Sequence, residues 1–171
     1  MKKLVFVLST VVALAFSQMT TAQNTIVDAA AGDENFSTLV TALKAADLVE
    51  ALQGDGPFTV FAPTNDAFAK IDKATLANLL KPENKETLSK ILTYHVVPGK
   101  LMAGDVVTAL KKGKGMVEVK TLAGEILTVK QKDGKIWLKD QAGNYSEITA
   151  TDVAGSNGVI HVIDTVVMPT K

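Results

Sequence analysis

The chain has no cysteine, and all 18 of its basic residues are lysine. Without cysteine no disulfide can brace the fold, so an exported domain of this kind must rest on its core alone. Any zinc site would be limited to histidine and carboxylate ligands. Without arginine the chain lacks the usual bidentate reader of phosphates and base edges, which argues against a nucleic-acid partner. Aromatics are scarce, with one Trp, two Tyr and six Phe, less flat apolar surface than a carbohydrate-cleaving cleft needs. There is no G-x-S-x-G elbow, no P-loop and no G-x-G-x-x-G. Ser156 sits in Gly155-Ser156-Asn157-Gly158, which is turn composition rather than a nucleophile's setting. Lys111-Lys112-Gly113-Lys114 reads as a solvated loop. The two histidines, His95 and His161, each lie in an apolar β-type run. Two imidazoles are too few for a metal centre, so buried, hydrogen-bonded rings are expected. These absences predict a protein that is not an enzyme and holds no metal or cofactor.

What is present begins with a leader. Met1-Lys2-Lys3 is basic, Leu4 to Phe16 is apolar apart from Ser9 and Thr10, and small polar residues follow up to Ala22. This is the pattern of a secretory signal peptide spanning residues 1–22, with cleavage after Ala22, and the run is too short to span a bilayer as a helix. A single domain over residues 23–171 is expected, secreted or periplasmic, without a membrane span. The charges balance at 18 basic and 18 acidic, and loss of Lys2 and Lys3 leaves a slight acidic excess.

The predicted mature chain changes texture near its middle. Residues 25–92 read mostly as helices. Asn35 is placed as the cap of a helix whose stripe is Phe36, Leu39, Val40 and Leu43. A short turn from Asp47 to Leu52 ends at Gly54-Asp55-Gly56-Pro57, and Phe58 to Phe61 is a short strand. Pro63-Thr64-Asn65-Asp66 offers a cap to a helix with Ala67, Phe68 and Ile71, and another helix runs from Glu83 or Asn84 to Leu92. Residues 93–168 read mostly as strands. Asp133-Gly134 joins Ile126–Gln131 to Lys135–Lys139 as a hairpin. Ser146 to Val153 pairs back, Asn157-Gly158 turns into Val159–Ile163, and Thr165–Met168 continues as strand. Tyr94 and His95 are placed on opposite faces of a central strand covered on both sides. Local pairing predicts antiparallel sheet, and helices before strands predict an α+β fold. Asn35-Phe36-Ser37 and Asn144-Tyr145-Ser146 fit the glycosylation sequon, a pattern common by chance.

Three stretches together resemble the fasciclin (FAS1) family. They are Phe58-Thr59-Val60-Phe61-Ala62-Pro63-Thr64-Asn65-Asp66-Ala67-Phe68, then Leu92-Thr93-Tyr94-His95-Val96-Val97-Pro98-Gly99, then Gly155-Ser156-Asn157-Gly158-Val159-Ile160-His161-Val162-Ile163-Asp164. The resemblance implies a FAS1-like fold, with helices packed along an antiparallel β-wedge or sandwich. It implies mainly structural roles for Thr59, Phe61, Pro63, Thr64, Asn65, Phe68, Asn157, Gly158, His161 and Asp164. It also implies a binding or cell-adhesion module whose partner is a cell-surface or matrix protein or glycan. Integrin contact in animal members is assigned to a Tyr-His region and an Asp-Ile pair, which carry over to Tyr94 and His95 and to Asp152 and Val153. Thr151 stands where proline often precedes that aspartate, and Ala154 where a larger apolar residue follows. One domain presents one site, so bridging two surfaces calls for self-association or a bivalent partner. The alternative implied by the resemblance is a carrier of a small hydrophobic ligand such as a carotenoid or lipid.

Overall fold

The computed structural model describes residues 24–170, so the expected leader and its cleavage site lie outside the described residues. A helical layer comes first. Helix α1 (Ile26–Ala31) starts at a reciprocal box in which Thr25 Oγ1 accepts from the Asp28 amide and the Asp28 carboxylate accepts from the Thr25 amide at 2.9 Å. A 3-10 turn (Glu34–Phe36) leads into α2 (Ser37–Ala45), which buries Leu39, Ala42 and Leu43. Helix α3 (Val49–Gln53) stops at Gly54. Strand β1 (Phe58–Pro63) is followed by α4 (Asn65–Ala69), capped by Thr64. Next come α5 (Lys73–Leu79), capped by Asp72, and α6 (Lys85–Tyr94).

The second half is mostly strand, as expected, but it also holds a helix that the sequence pattern does not predict. After β2 (Val96–Pro98) the chain forms a ten-residue helix, α7 (Ala103–Lys112), burying Val106 and Leu110. Lys111 and Lys112 are therefore its last turn, where ammonium groups suit the negative end of the helix dipole, and not a loop. Strands β3 (Met116–Lys120), β4 (Ile126–Lys132), β5 (Lys135–Lys139), β6 (Tyr145–Gly155) and β7 (Gly158–Ile163) follow. Thr165–Met168 is not strand. It is an irregular strap held by side chains, with Thr165 N–H donating to Ser146 Oγ and Met168 N–H to Asp140.

The strands form one seven-stranded sheet in the order β2-β1-β7-β6-β5-β4-β3. It is mixed, since β1 and β7 pair parallel through six register pairs, from Phe58↔Gly158 to Pro63↔Ile163. The other pairings are antiparallel, as local connections require. Strand β6 serves two neighbours. Tyr145–Glu147 pairs with β5, and the rest pairs with β7 through irregular register at Ile148–Val153. Such bulges bend a strand and increase its local twist. Strands β1 and β7 are covered on both faces. Val60, Ala62 and Ile160 face the helical core, whereas Phe61 and Ile163 face a second core with Tyr94, Leu110, Leu127 and Leu138. The class is α+β, as the order of elements predicts.

Two local placements differ from expectation. Asn35 does not cap α2: it lies inside the 3-10 turn and donates to Asp33 Oδ1 at 2.8 Å. The α2 cap comes from elsewhere in the chain, because Asn65 Oδ1 accepts from the Thr38 amide at 3.0 Å while its Nδ2 donates to the Glu34 carbonyl at 2.8 Å. Nor is the Tyr94–Val97 segment a central strand. Tyr94 ends α6, His95 is its C-cap, and β2 is a three-residue edge strand. Its free edge is closed by the 121–123 loop, where Leu122 N–H donates to the Val96 carbonyl at 2.7 Å.

Candidate binding site

Tyr94 and His95 are fixed by the passage from α6 into β2. Tyr94 is fully buried, and its hydroxyl donates to the Ile126 carbonyl at 3.0 Å. Burial pushes its phenol up to about 12, so it stays a neutral donor. His95 is 2% exposed, with Nδ1 at 2.8 Å from the Ile91 carbonyl and Nε2 accepting from the Val167 amide at 3.2 Å. A carbonyl cannot donate and an amide cannot accept, so the proton sits on Nδ1. Burial lowers the imidazole pKa to about 4, against a smaller opposing effect of the Ile91 carbonyl. Neither ring atom is left to touch a partner.

The second candidate pair lies on β6. Asp152 adopts φ 60°, in the left-handed region that Asp tolerates better than most residues. Its Oδ1 accepts from the Ala103 amide at 2.8 Å, a charged acceptor at the N-terminus of α7. Its own amide donates to His161 Nδ1 at 3.4 Å, and His161 Nε2 lies 2.7 Å from the Leu101 carbonyl. That ring therefore carries its proton on Nε2, and it packs against Phe61 with centroids 5.7 Å apart. Val153 is 38% exposed, an apolar side chain turned to solvent beside the anchored aspartate. The four carried-over residues thus divide. Tyr94 and His95 are interior, Asp152 is committed to α7, and only Val153 is presented. The two pairs share no hydrogen-bond partner.

The remaining motif residues sit where chain segments meet. Thr59 is buried and links the 99–101 loop to β1, donating to the Gly99 carbonyl at 2.7 Å and accepting from the Leu101 amide at 2.9 Å. Pro63 ends β1, Thr64 caps α4, and Phe61 and Phe68 fill opposite cores. Asn157 accepts from the Ile26 amide at 3.0 Å and donates to the Leu52 and Gly54 carbonyls at 2.8 and 2.9 Å, tying α1 and α3 to the β6–β7 turn. At Gly158 a Cβ would lie 2.2 Å from the Phe58 carbonyl oxygen, so the parallel pair closes only over glycine. Asp164 accepts from the Glu147 amide at 2.8 Å and from Lys70 at 3.1 Å. Burial works against its ionisation, but these donors and Thr165 outweigh it and lower its pKa.

Two residues not picked out from the sequence pin the strap. Asp140 is 3% exposed and accepts from the Asn144 and Met168 amides. Glu125 accepts from the Thr170 amide and pairs with Lys90 at 2.8 Å. Asp140 follows a strand and precedes a Gly143-Asn144 turn, a setting in which a carboxylate often closes the turn on its own backbone. Among the described residues no group of three or more His, Cys, Asp or Glu could hold a metal. The apolar space between α1, α2 and the sheet, lined by residues such as Val27, Leu43 and Ile160, has a free volume of about 10 Å³. That is the lower limit for one water and far below what a carotenoid needs. A wider, open concavity of about 530 Å³ lies on the outer face of β4–β6, lined by Lys130, Gln131, Lys132, Trp137 and Tyr145.

The comparisons with known proteins agree with this architecture. The chain is 58% identical over 145 residues to protein sll1483 of Synechocystis, covering 85% of this chain and 73% of that one. It is 34% identical over 151 residues to transforming growth factor-beta-induced protein ig-h3 of Sus scrofa, covering 88% of this chain but only 20% of that much longer protein. In structure it is similar to a FAS1 domain pair from the insect cell adhesion molecule fasciclin I, with a TM-score of 0.57 at 20% identity over 76% of this chain and 43% of the pair. The family model for the fasciclin domain matches residues 34–169, so the chain belongs to the fasciclin domain family.

Proposed function

We propose that this protein is an exported, non-catalytic binding module that contacts a cell-surface or matrix protein or glycan. Its place outside the cytoplasm rests on the tripartite leader at residues 1–22. The binding role is supported by kinship with domains of the insect cell adhesion molecule fasciclin I. The observation that carries it to particular residues is the Asp152–Val153 corner. There a left-handed aspartate, held by the Ala103 amide, keeps an apolar side chain in solvent next to a rigid strand. A partner gains a preorganised contact at this corner, because the backbone is fixed before binding. On this reading Tyr94 and His95 act through the fold and not by touching the partner.

The test coats beads with the chain and measures their retention on cells of the producing organism. Val153→Glu places a charge at the corner without disturbing either core. It should reduce retention to that of uncoated beads while the melting midpoint stays within about 1 °C of wild type, as for a surface change. Undiminished retention of Val153→Glu would remove this corner from the site.

A further inference from the structure

The outer face of strands β3–β6 concentrates features that are scarce or balanced elsewhere in the chain. Alternation along each strand sends Leu127, Val129 and Leu138 into the second core and leaves the intervening side chains outside. Register then sets Trp137 beside Lys130 on β4 and Glu147 on β6, and Tyr145 beside Lys139 on β5. The only Trp of the chain and one of its two Tyr therefore share one face. The same face carries Lys120, Lys130, Lys132, Lys135 and Lys139 against only two carboxylates, Glu118 and Glu147, in a chain whose charges balance at 18 each. Glu147 is engaged with Lys135 at 2.8 Å, and none of the other four lysines has a carboxylate within ion-pair distance among the described residues. Lys139 stands 6.0 Å over the Tyr145 ring.

We infer that this face is a binding surface for an acidic polysaccharide, with Trp137 and Tyr145 receiving the C–H faces of the sugars and Lys130, Lys132 and Lys139 receiving their carboxylates or sulfates. The argument for that occupant is complementarity. Lys130 and Lys132 lie about 7 Å apart along β4, two residues of strand rise, so the face presents rows of positive charge. The concavity of about 530 Å³ runs beside those rows, with the indole and phenol in its wall. A ligand that fits must be extended, repeatedly anionic and apolar on its flat side. Trp137 is half-buried, whereas Met116, Ile126 and Tyr145 on the same face are exposed, so an anionic bilayer is the rival occupant that the vesicle arm of the titration separates from the polysaccharide. Lysine ammonium groups supply charge without the planar fork that selects phosphate or guanine, so nucleic acid is the poorer match. The inference rests on the chain being a binding module, but it uses a surface separate from the Asp152–Val153 corner.

Trp137 is its own reporter, since no other tryptophan contributes to the emission. Titration of the chain with polygalacturonate should change that emission saturably, and the affinity should fall steeply between about 50 and about 500 mM salt as the charges are screened. The double variant Lys130→Ala/Lys132→Ala keeps the indole and should bind about tenfold more weakly, with the steepness of the salt dependence reduced. Tyr145→Ala should weaken binding while leaving the salt dependence unchanged. Dextran, the neutral control, should leave the emission unaltered. The inference is overturned if polygalacturonate gives no saturable change, if the lysine variant binds as wild type does, or if single-stranded DNA or anionic phosphatidylserine vesicles bind more tightly than the polyuronate. Loss of bead retention in Val153→Glu with polyuronate binding intact supports both surfaces. Intact retention with no polyuronate binding overturns this inference alone.

Discussion

His95 shows how a single side chain couples the fold to pH. Its ring is enclosed, donates from Nδ1 to Ile91, accepts from Val167 at Nε2, and has its pKa lowered by burial to about 4. In the unfolded chain the same ring titrates near 6.5. Between these values the unfolded state binds the extra proton, so stability rises with pH there. The contribution is whole above pH 6.5 and is lost as pH falls through 6.5 toward about 4. By pH 5 the loss is about 2 kcal/mol relative to pH 7. His95→Asn has no proton to take up, so its unfolding free energy should change less over this range than that of wild type by about that amount. Should the variant not fold, the ring resonances of His95 in wild type give the same answer, and titration near 6.5 would sink the argument. Binding and unfolding measured on the same variant decide its role as well: full stability with binding abolished makes His95 a contact residue. That both histidines are enclosed was legible from the apolar runs around them. The partners were not, because Ile91 lies on the helix that ends at His95 and Val167 lies 72 residues on.

At the scale of elements, what could be read in advance was whatever the chain decides locally. The β4–β5 hairpin is the clearest case. Asp133 and Gly134 adopt φ 53° and 77°, the two positive values that a two-residue turn of the primed type requires. A side chain at Gly134 would meet nothing within 4 Å, so any cost of substitution comes from the backbone alone. Gly134→Val should therefore lower the unfolding free energy by at least about 1 kcal/mol, through a β-branched residue forced into positive φ. An unchanged denaturation midpoint would show that the turn relaxes freely. Helix α7 was not legible for the opposite reason. Its sequence carries Gly104 and the β-branched run Val106-Val107-Thr108, and it buries only Val106 and Leu110, so its stripe is too thin to outweigh poor propensity. It is made helical by the second core beneath it and by the Asp152 carboxylate at its start. Parallel pairing of β1 with β7 was hidden too, because about a hundred residues separate Phe58 from Gly158 and no turn announces the contact. The outer-face surface is not legible in composition, because aromatics are scarce over the whole chain and only strand alternation and register gather Trp137 and Tyr145 on one surface.

Over the whole molecule, the question is whether two cores make one cooperative unit. The helical core and the core around Leu127 and Leu138 lie on opposite faces of the β1–β7 pair. That pair cannot lose one face and keep the other, because its strands owe their burial to both layers. The strap adds a second tie. Val166 belongs to the helical core and Val167 to the other, while Val167 N–H binds His95 and Asp140 holds Met168. Unfolding either layer therefore exposes side chains and orphans polar groups in the second, at about 1–3 kcal/mol for each buried group left unpaired. A single transition is the expected result, and the molecule supplies an independent probe for each layer. Most of its helix lies in residues 26–94, and its only Trp lies on β5, at the far side of the second core. Helix ellipticity and Trp137 emission should thus give coincident denaturation curves with the same midpoint and slope. Deleting residues 166–171 should shift both curves together to lower denaturant. If emission and ellipticity separate in the intact chain, the two layers unfold independently and the β1–β7 pair does not couple them.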